Sequence, residues 1–351
     1  MRGERAEPYD ALALDLARFQ AAHIPALARL AQATGADLGR AREAAAIPAV
    51  PCDVFRLARL ATHPSACDVA CFRTSGTSQG RRGEHVLRTT ETYELAAFSW
   101  GERYLWPDGT DLRALVLAPP ISEVADSSLG FMLDRFAHAL QRRPAFLMHA
   151  EASGEAAFDL DGLARAAAEA RAEGAAIIVL ATSFALVHLL DGAGGIDLRL
   201  PPGSRVMQTG GFKGRSREVA PGALRSMVAA AFAVPETHIV AEYGMTELSS
   251  QLYEGTLSAA LGHRAGPPHG VYAPPPWMRV VAVDPDSLAP VPHGEIGIAR
   301  IVDLANVDSA VVIQTSDRVR AVEGGVELLG RLPGAAPRGC SIAADEMLGR
   351  A

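Results

Sequence analysis

The feature that most constrains the fold is a regular alternation of apolar runs and helical patterns between residues 112 and 244. Four runs have the length of β-strands and almost no charge: "LRALVLAPP", "AAIIVLAT", "SRVMQTGG" and "THIVAEYG". Segments with apolar residues at helical spacing separate them. Strands that are apolar throughout are typical of parallel sheets covered by helices on both faces. The alternation therefore predicts an α/β fold with a mainly parallel, helix-covered sheet.

The two ends of the sequence show different residue patterns. Residues 11–46 are rich in Ala and Leu at helical spacing and predict helices interrupted near Pro25. From about residue 271, short β-like pieces alternate with Pro and Gly, as in "MRVVAVD" and "GEIGIARIVD". We therefore expect an α/β core with N-terminal helices over residues 1–270, and an antiparallel β subdomain with a truncated hinge segment over residues 271–351.

Composition excludes several classes of function. The net charge of −7 argues against nucleic acid as a partner, since neutralising phosphates needs a basic face. The longest apolar runs are too short to span a membrane, and the N-terminus lacks the apolar core of a signal peptide. The four cysteines are too scattered for a disulfide framework. The expected location is the cytoplasm.

Three polar loops rich in glycine each follow a predicted strand: "TSGTSQGRR" (74–82), "TGGFKGRS" (209–216) and "EYGMTE" (242–247). The first connects two β-like runs as a hairpin. Ligands of open α/β sheets bind at strand ends, and glycine lets backbone amides approach an anion closely. One such loop is weak evidence, because these residues usually just turn the chain. Three of them together predict an anion-binding site.

Common nucleotide and hydrolase motifs do not account for these loops. The first loop is not the usual P-loop, because Gly76 and Gly80 are one residue too close and Arg81 follows. No G-x-G-x-x-G follows a first strand, and no serine lies in G-x-S-x-G.

The loops instead resemble signatures of the adenylate-forming superfamily. "TSGTSQGRR" is similar to its phosphate-binding signature and "YGMTE" to its second signature, while "QTSDRVR" (314–320) and "GRLPGAAPRG" (330–339) resemble its Thr-Gly-Asp strand and its Gly-Arg hinge. With "TGGFKG", the short chain and "RGCSIAADEML", the closest resemblance is to the LuxE-type acyl-protein synthetases. The resemblance implies the fold of an adenylate-forming N-terminal domain. It also implies ATP-dependent activation of a fatty acid as an acyl adenylate, with transfer of the acyl group to a cysteine.

The resemblance assigns roles in binding ATP. The phosphates would lie against amides, hydroxyls and charge from Thr74, Ser75, Gly76, Thr77, Ser78, Gly80 and Arg81 or Arg82. Adenine and ribose would be held by Gly210, Gly211, Tyr243, Gly244, Asp317 and Arg331. Thr246 would hydrogen-bond the α-phosphate, and Glu247 would bind Mg²⁺, which prefers hard oxygen ligands. Taken singly, Tyr243 could be a core aromatic and Asp317 an ordinary turn residue.

Two further residues are candidates for catalysis. Most superfamily members have a C-terminal lid whose lysine contacts the α-phosphate, and here the sequence ends at Ala351. We hypothesise that Lys213, the only lysine of the chain, supplies that charge. The alternative is chance survival of a surface lysine. The resemblance makes Cys340 a candidate acyl acceptor, and a structural role is its alternative.

The sequence does not decide which group accepts the acyl chain or which carboxylic acid is activated. A CoA or carrier-protein ligase for an aryl or short-chain acid is the alternative enzyme, and a non-catalytic nucleotide-binding subunit is the alternative of another class. An apolar pocket discriminates by only ~1–3 kcal/mol per methylene, so the sequence does not fix the chain length of the acid. The resemblance alone implies an acyl-accepting partner, such as a reductase-like or carrier protein.

Overall fold

A computed structural model describes residues 7–74, 81–141, 143–150, 156–210, 219–263, 269–333, 344–345 and 347–348. Its helices are α1 (Tyr9–His23), α2 (Pro25–Ala33), α3 (Glu91–Leu105), α4 (Ser128–Leu140), α5 (Leu160–Glu173), α6 (Ser183–Gly192), α7 (Pro221–Phe232) and α8 (Thr256–Ala260). Its strands are β1 (Val50–Pro51), β2 (Ala70–Arg73), β3 (Glu84–Leu87), β4 (Arg113–Leu117), β5 (Ala145–Phe146), β6 (Met148–Ala150), β7 (Ala156–Phe158), β8 (Ile177–Thr182), β9 (Arg205–Thr209), β10 (Ile239–Tyr243), β11 (Leu252–Glu254), β12 (Val271–Ala273), β13 (Met278–Val283), β14 (Ile296–Asp303), β15 (Val312–Val322) and β16 (Gly325–Arg331).

These elements form two compact units that interleave along the chain. Residues 97–244 and 251–273 make up one, which we call the α/β unit. Residues up to 96, residues 245–250 and residues from 274 onward make up the other, which we call the β-rich unit. The division into residues 1–270 and 271–351 stays a prediction.

The α/β unit is built on a mainly parallel sheet with strand order β12-β11-β10-β9-β8-β4-β5. Strands β10, β9, β8, β4 and β5 run parallel, and β11 pairs antiparallel with both β10 and β12. The central strand β8 is buried from Ile177 to Ala181. Burial explains its uniformly apolar sequence, and the parallel pairing of these strands confirms the predicted sheet.

Helices α5, α6 and α7 pack apolar side chains such as Ala167, Val187 and Val228 into the core of this unit. Local signals set the helix ends. The Asp159 side chain caps the start of α5 by accepting from the Gly162 N–H (2.7 Å), and Gly174, the residue that follows α5, has a left-handed φ of 66°.

The β-rich unit contains the antiparallel sheet predicted for the C-terminal region, with strand order β13-β14-β15-β16. Strand β1 pairs parallel with β15 and places Pro51 opposite Gln314. Strands β2 and β3 form the predicted hairpin. Helix α1 packs Ala13 and Leu14 in one cluster with Val302 and Val312, so the N-terminal helix covers β14 and β15.

No helix in the described part of the chain combines the length and hydrophobicity needed to cross a membrane.

Candidate functional site

The predicted phosphate loop begins and ends on a closed hairpin. The Thr74 N–H donates to the Gly83 carbonyl (2.9 Å), and the Gly83 N–H donates to the Thr74 hydroxyl oxygen (2.9 Å). A Cβ on Gly83 would come within 3.0 Å of the Thr74 methyl carbon, so glycine suits this close crossing. The remaining loop residues of the prediction lie outside the described residues: Ser75, Gly76, Thr77, Ser78 and Gly80.

The two arginines after this loop differ in what they contact. Arg82 donates from Nε to the Thr74 carbonyl (2.6 Å) and from a terminal nitrogen to the Arg73 carbonyl (3.0 Å). Its guanidinium therefore holds the base of the hairpin. The Arg81 residue is exposed. Of the two, Arg81 is the better candidate for neutralising a bound anion.

Thr246 and Glu247 lie in a turn of the β-rich unit, and buried side chains hold both of their carbonyls. His85 on β3 approaches the Thr246 carbonyl with Nδ1 at 2.7 Å. Asn306 donates from Nδ2 to the Glu247 carbonyl at 2.9 Å. Both of these side chains are fully buried. Glu247 itself is 7% exposed, so the carboxylate predicted to bind Mg²⁺ is largely shielded from solvent.

Asp317 and Arg331, predicted to hold ribose, are cross-strand partners on β15 and β16. Arg331 donates from Nε to the Asp317 carboxylate at 3.0 Å. The Asp317 side chain is 16% exposed and that of Arg331 is 72% exposed. An ion pair this open contributes little to stability. In this contact the Asp317 carboxylate faces the Arg331 guanidinium.

Cys52 was not predicted as a site residue, yet it reports on how the site is assembled. It directly follows β1, which pairs with β15. Burial raises the pKa of its thiol well above the usual range, and the negative charges of Glu247 and Asp317 raise it further, whereas Arg331 lowers it. The charges of residues 247, 317 and 331 therefore act on one thiol. The fold of the β-rich unit brings these predicted site residues together.

In the α/β unit, Thr209 and Glu242 pair across the ends of β9 and β10, just before Gly210 and Tyr243. The Thr209 hydroxyl donates to the Glu242 carboxyl. Burial raises the pKa of Glu242 to about 7, and the bond from Thr209 opposes that shift. A Cβ on Gly244 would lie 2.5 Å from Glu242 Oε1, so a larger residue at position 244 would displace this carboxyl.

The loop that starts at Gly210 is anchored at its first residue. Ser183, at the start of α6, donates to the Gly210 carbonyl at 2.7 Å. Gly210 has a φ of 70°, a left-handed conformation that favours glycine. Gly211, Lys213 and Cys340 lie outside the described residues.

Within the described ranges, no three His, Cys, Asp or Glu side chains are placed to hold a metal ion together. Mg²⁺ usually binds through one or two carboxylates plus substrate phosphates. The single carboxylate of Glu247 fits that pattern.

The chain is similar in sequence to one protein family. A family model described as "Acyl-protein synthetase, LuxE" matches residues 32–349. Among curated protein sequences, none matches the chain.

Solved structures share the fold at low identity. The open conformation of 2-hydroxyisobutyryl-CoA ligase with 2-HIB-AMP and CoA has a TM-score of 0.65 and 15% identity, over 92% of this chain and 73% of that ligase. The same ligase in its thioesterification state has a TM-score of 0.64 and 16% identity, over 92% and 67%. ATP-bound MatB from Rhodopseudomonas palustris has a TM-score of 0.51 and 17% identity, over 77% of this chain. The matched region spans about half of MatB, 49% of its length.

Proposed function

This chain belongs to the LuxE acyl-protein synthetase family, and on that premise we propose that it activates a carboxylic acid with ATP and transfers the acyl group to a protein cysteine. The supporting observation is the ion pair of Asp317 with Arg331 (3.0 Å) in the same unit as Glu247, with the charges of all three residues acting on the Cys52 thiol. The Glu247 carboxylate suits a metal ion that binds phosphates, and the Asp317 carboxylate suits a pair of ribose hydroxyls. Solved relatives of the same fold hold ATP in MatB, and 2-HIB-AMP with CoA in 2-hydroxyisobutyryl-CoA ligase.

In the first step, a carboxylate oxygen of the acid attacks the α-phosphorus of ATP. The bond from this phosphorus to the bridging oxygen of pyrophosphate breaks, and pyrophosphate leaves with the electron pair. Catalysis of this kind rests on positioning and charge stabilisation.

The candidate site residues each have a proposed task in that step. The Thr246 hydroxyl donates to the α-phosphate, Asp317 accepts the ribose hydroxyls, and Arg331 fixes the direction of Asp317. Arg81 neutralises charge at the phosphate loop. Mg²⁺ held by Glu247 would supply further neutralisation of the phosphates. Lys213 supplies a positive charge at the α-phosphate or the substrate carboxylate.

In the second step, a thiolate sulfur attacks the acyl carbonyl, the bond to AMP breaks, and AMP leaves as a thioester forms. The nucleophile is the thiolate rather than the thiol. Cys52 is poorly suited to this step, because burial and two carboxylates keep its thiol protonated. The resemblance to the family makes Cys340 the candidate for the acceptor role, and our proposal adds a fatty acid as the substrate and a cysteine of an acyl-accepting protein as a further destination.

The test is carboxylate-dependent ATP–pyrophosphate exchange with Mg²⁺, run over fatty and aromatic acids without an acceptor. We expect exchange with one class of acid. Glu247→Gln and Asp317→Asn should each lower the rate at least about tenfold, as expected when a charged hydrogen-bond partner of the substrate is removed. Glu327→Gln is the matched control, since this carboxylate pairs with Arg320 on the same two strands and has no assigned role.

No exchange with any acid would overturn the proposal, and tight ATP binding without exchange would identify a nucleotide-binding subunit. The acceptor is tested next with the acid identified. A thioester released on CoA or a carrier thiol, without acylated protein, would favour the CoA or carrier-protein ligase instead. Lys213→Ala is expected to slow exchange, and an unchanged rate would remove Lys213 from the mechanism.

A further inference from the structure

We infer that His85 and Asn306 are positioning residues that set the direction of the Thr246 hydroxyl and the Glu247 carboxylate. The inference deepens the proposed function and rests on it for the roles of Thr246 and Glu247. It starts from one observation: the carbonyls of these two consecutive residues each accept from a fully buried side chain, at 2.7 and 2.9 Å.

His85 makes a hydrogen bond with a defined tautomer. A carbonyl oxygen can only accept, so Nδ1 carries the proton in the 2.7 Å contact with Thr246. The other ring nitrogen, Nε2, is buried and has no hydrogen-bond partner among the described residues. Burying this unpaired nitrogen costs free energy that an apolar side chain at position 85 would not cost. What histidine provides in return is the hydrogen bond to the Thr246 carbonyl, which an apolar side chain could not make.

The surroundings hold the His85 ring in place. It lies edge-on to Phe55, with ring centroids 6.0 Å apart, and its residue pairs with Phe72 across the hairpin. Burial lowers the pKa of the ring, and the hydrogen bond to Thr246, the charge of Asp308 and the nearby Asn306 side chain oppose this effect. His85 and Asn306 are therefore neighbours as well as parallel anchors of the turn.

Asn306 has every polar group of its side chain engaged. Nδ2 donates to the carbonyls of Glu247 (2.9 Å) and Ala310 (2.7 Å), and Oδ1 accepts from the Ser249 hydroxyl (3.0 Å). Gln20 of α1 donates to the Asn306 carbonyl at 2.8 Å. Because its own backbone is fixed, Asn306 can hold the turn rather than follow it.

Two anchors on consecutive carbonyls fix the orientation of the peptide planes at residues 246 and 247. They come from different parts of the β-rich unit, because His85 lies on β3 and Asn306 lies after β14. Strand β3 is also the strand that leaves the predicted phosphate loop. A shift of that hairpin would reach the Thr246–Glu247 turn through His85.

The experiment compares two amide substitutions of His85. His85→Asn keeps an N–H donor near the position of Nδ1, whereas His85→Gln moves the amide to the position of Nε2. Peptides covering residues 245–250 should exchange amide hydrogen for deuterium at the wild-type rate in His85→Asn and about tenfold faster in His85→Gln. In the pyrophosphate-exchange assay, His85→Gln should raise the apparent Mg²⁺ constant several-fold, and His85→Asn should restore it. Equal behaviour of the two variants would overturn the inference.

The readouts separate this inference from the proposed function. Deuterium exchange needs no catalysis, so it judges the positioning role even if the wild type shows no pyrophosphate exchange. An active wild type with a His85→Gln variant that keeps its Mg²⁺ constant would defeat the inference alone. If neither variant folds, the wild-type protein still tests the inference. The inference requires the backbone amides of residues 245–250 to exchange as slowly as those of β10. Exchange at the rate of an open loop would overturn the inference.

Discussion

The buried carboxyl of Glu242, near the end of β10, should make the stability of the fold depend on pH. Its carboxyl is buried and has a pKa of about 7, against an ordinary value of 4.5. The folded state therefore binds a proton that the unfolded state releases. The resulting stabilisation is fully present below pH 4.5 and is lost as the pH rises through about 7.

Replacing Glu242 with Gln should remove this pH dependence. The amide oxygen can still accept from Thr209, and no proton is lost at high pH. We expect the variant to exceed the wild type in free energy of unfolding by little at pH 5 and by on the order of 2 kcal/mol at pH 8. Urea unfolding across this range measures the difference. Glu236→Gln is the control, because Glu236 accepts from Ser226 at the exposed surface. A difference that does not grow with pH would contradict the assignment.

The residues that sequence could predict are those with a motif around them. Asp317 and Arg331 were predicted from two separate motifs, and the structure pairs them across β15 and β16. Cys52 and Asn306 carry no such signal, because their positions depend on the parallel pairing of β1 with β15 and on the loop after β14. His85 offered one weak clue, namely a polar residue inside a short apolar strand.

At the scale of elements, the long apolar runs were predicted correctly and the short strands were not. The four runs of the predicted sheet became β4, β8, β9 and β10. Strands β5, β6, β7, β11 and β12 have only two or three residues. A segment of that length shows no periodicity, and its neighbours in the sheet decide its conformation. The short strands near the two ends of the α/β sheet, and the separate β6–β7 pair, were therefore invisible to pattern analysis.

The β2–β3 hairpin offers a test in which adjacent arginines are matched variants. Arg82→Met keeps the aliphatic stem but removes the hydrogen bonds to the carbonyls of Arg73 and Thr74. We expect it to lower the free energy of unfolding by about 1–2 kcal/mol and to weaken ATP binding. Arg81→Met, at the exposed position, should leave stability unchanged and weaken ATP binding alone. Thermal unfolding with and without ATP and Mg²⁺ separates the two effects, and equal destabilisation by both variants would contradict the division of roles.

At the scale of the molecule, the chain order hides which residues fold together. Thr246 and Glu247 belong to residues 245–250, a six-residue stretch of the β-rich unit flanked on both sides by the α/β unit. A reading along the sequence treats this stretch as the end of a strand motif. Its membership of the β-rich unit follows from buried contacts such as Ser250 Oγ to Asp303 (2.8 Å). Those long-range contacts have no local signature.

The intact chain also permits a direct test of where the acyl group goes. After incubation with ATP, Mg²⁺ and the labelled acid that supports exchange, we expect label on the protein as a thioester, which hydroxylamine cleaves to release the acyl group as a hydroxamate. Cys340→Ser should abolish this label. Cys67→Ser should keep it, because Cys67 is an exposed cysteine with no assigned role and so controls for non-specific acylation. Cys52 should stay unlabelled, since its raised pKa keeps the thiol protonated. Label that persists in Cys340→Ser, or that maps to Cys52, would show that the acyl group leaves the adenylate by a different route.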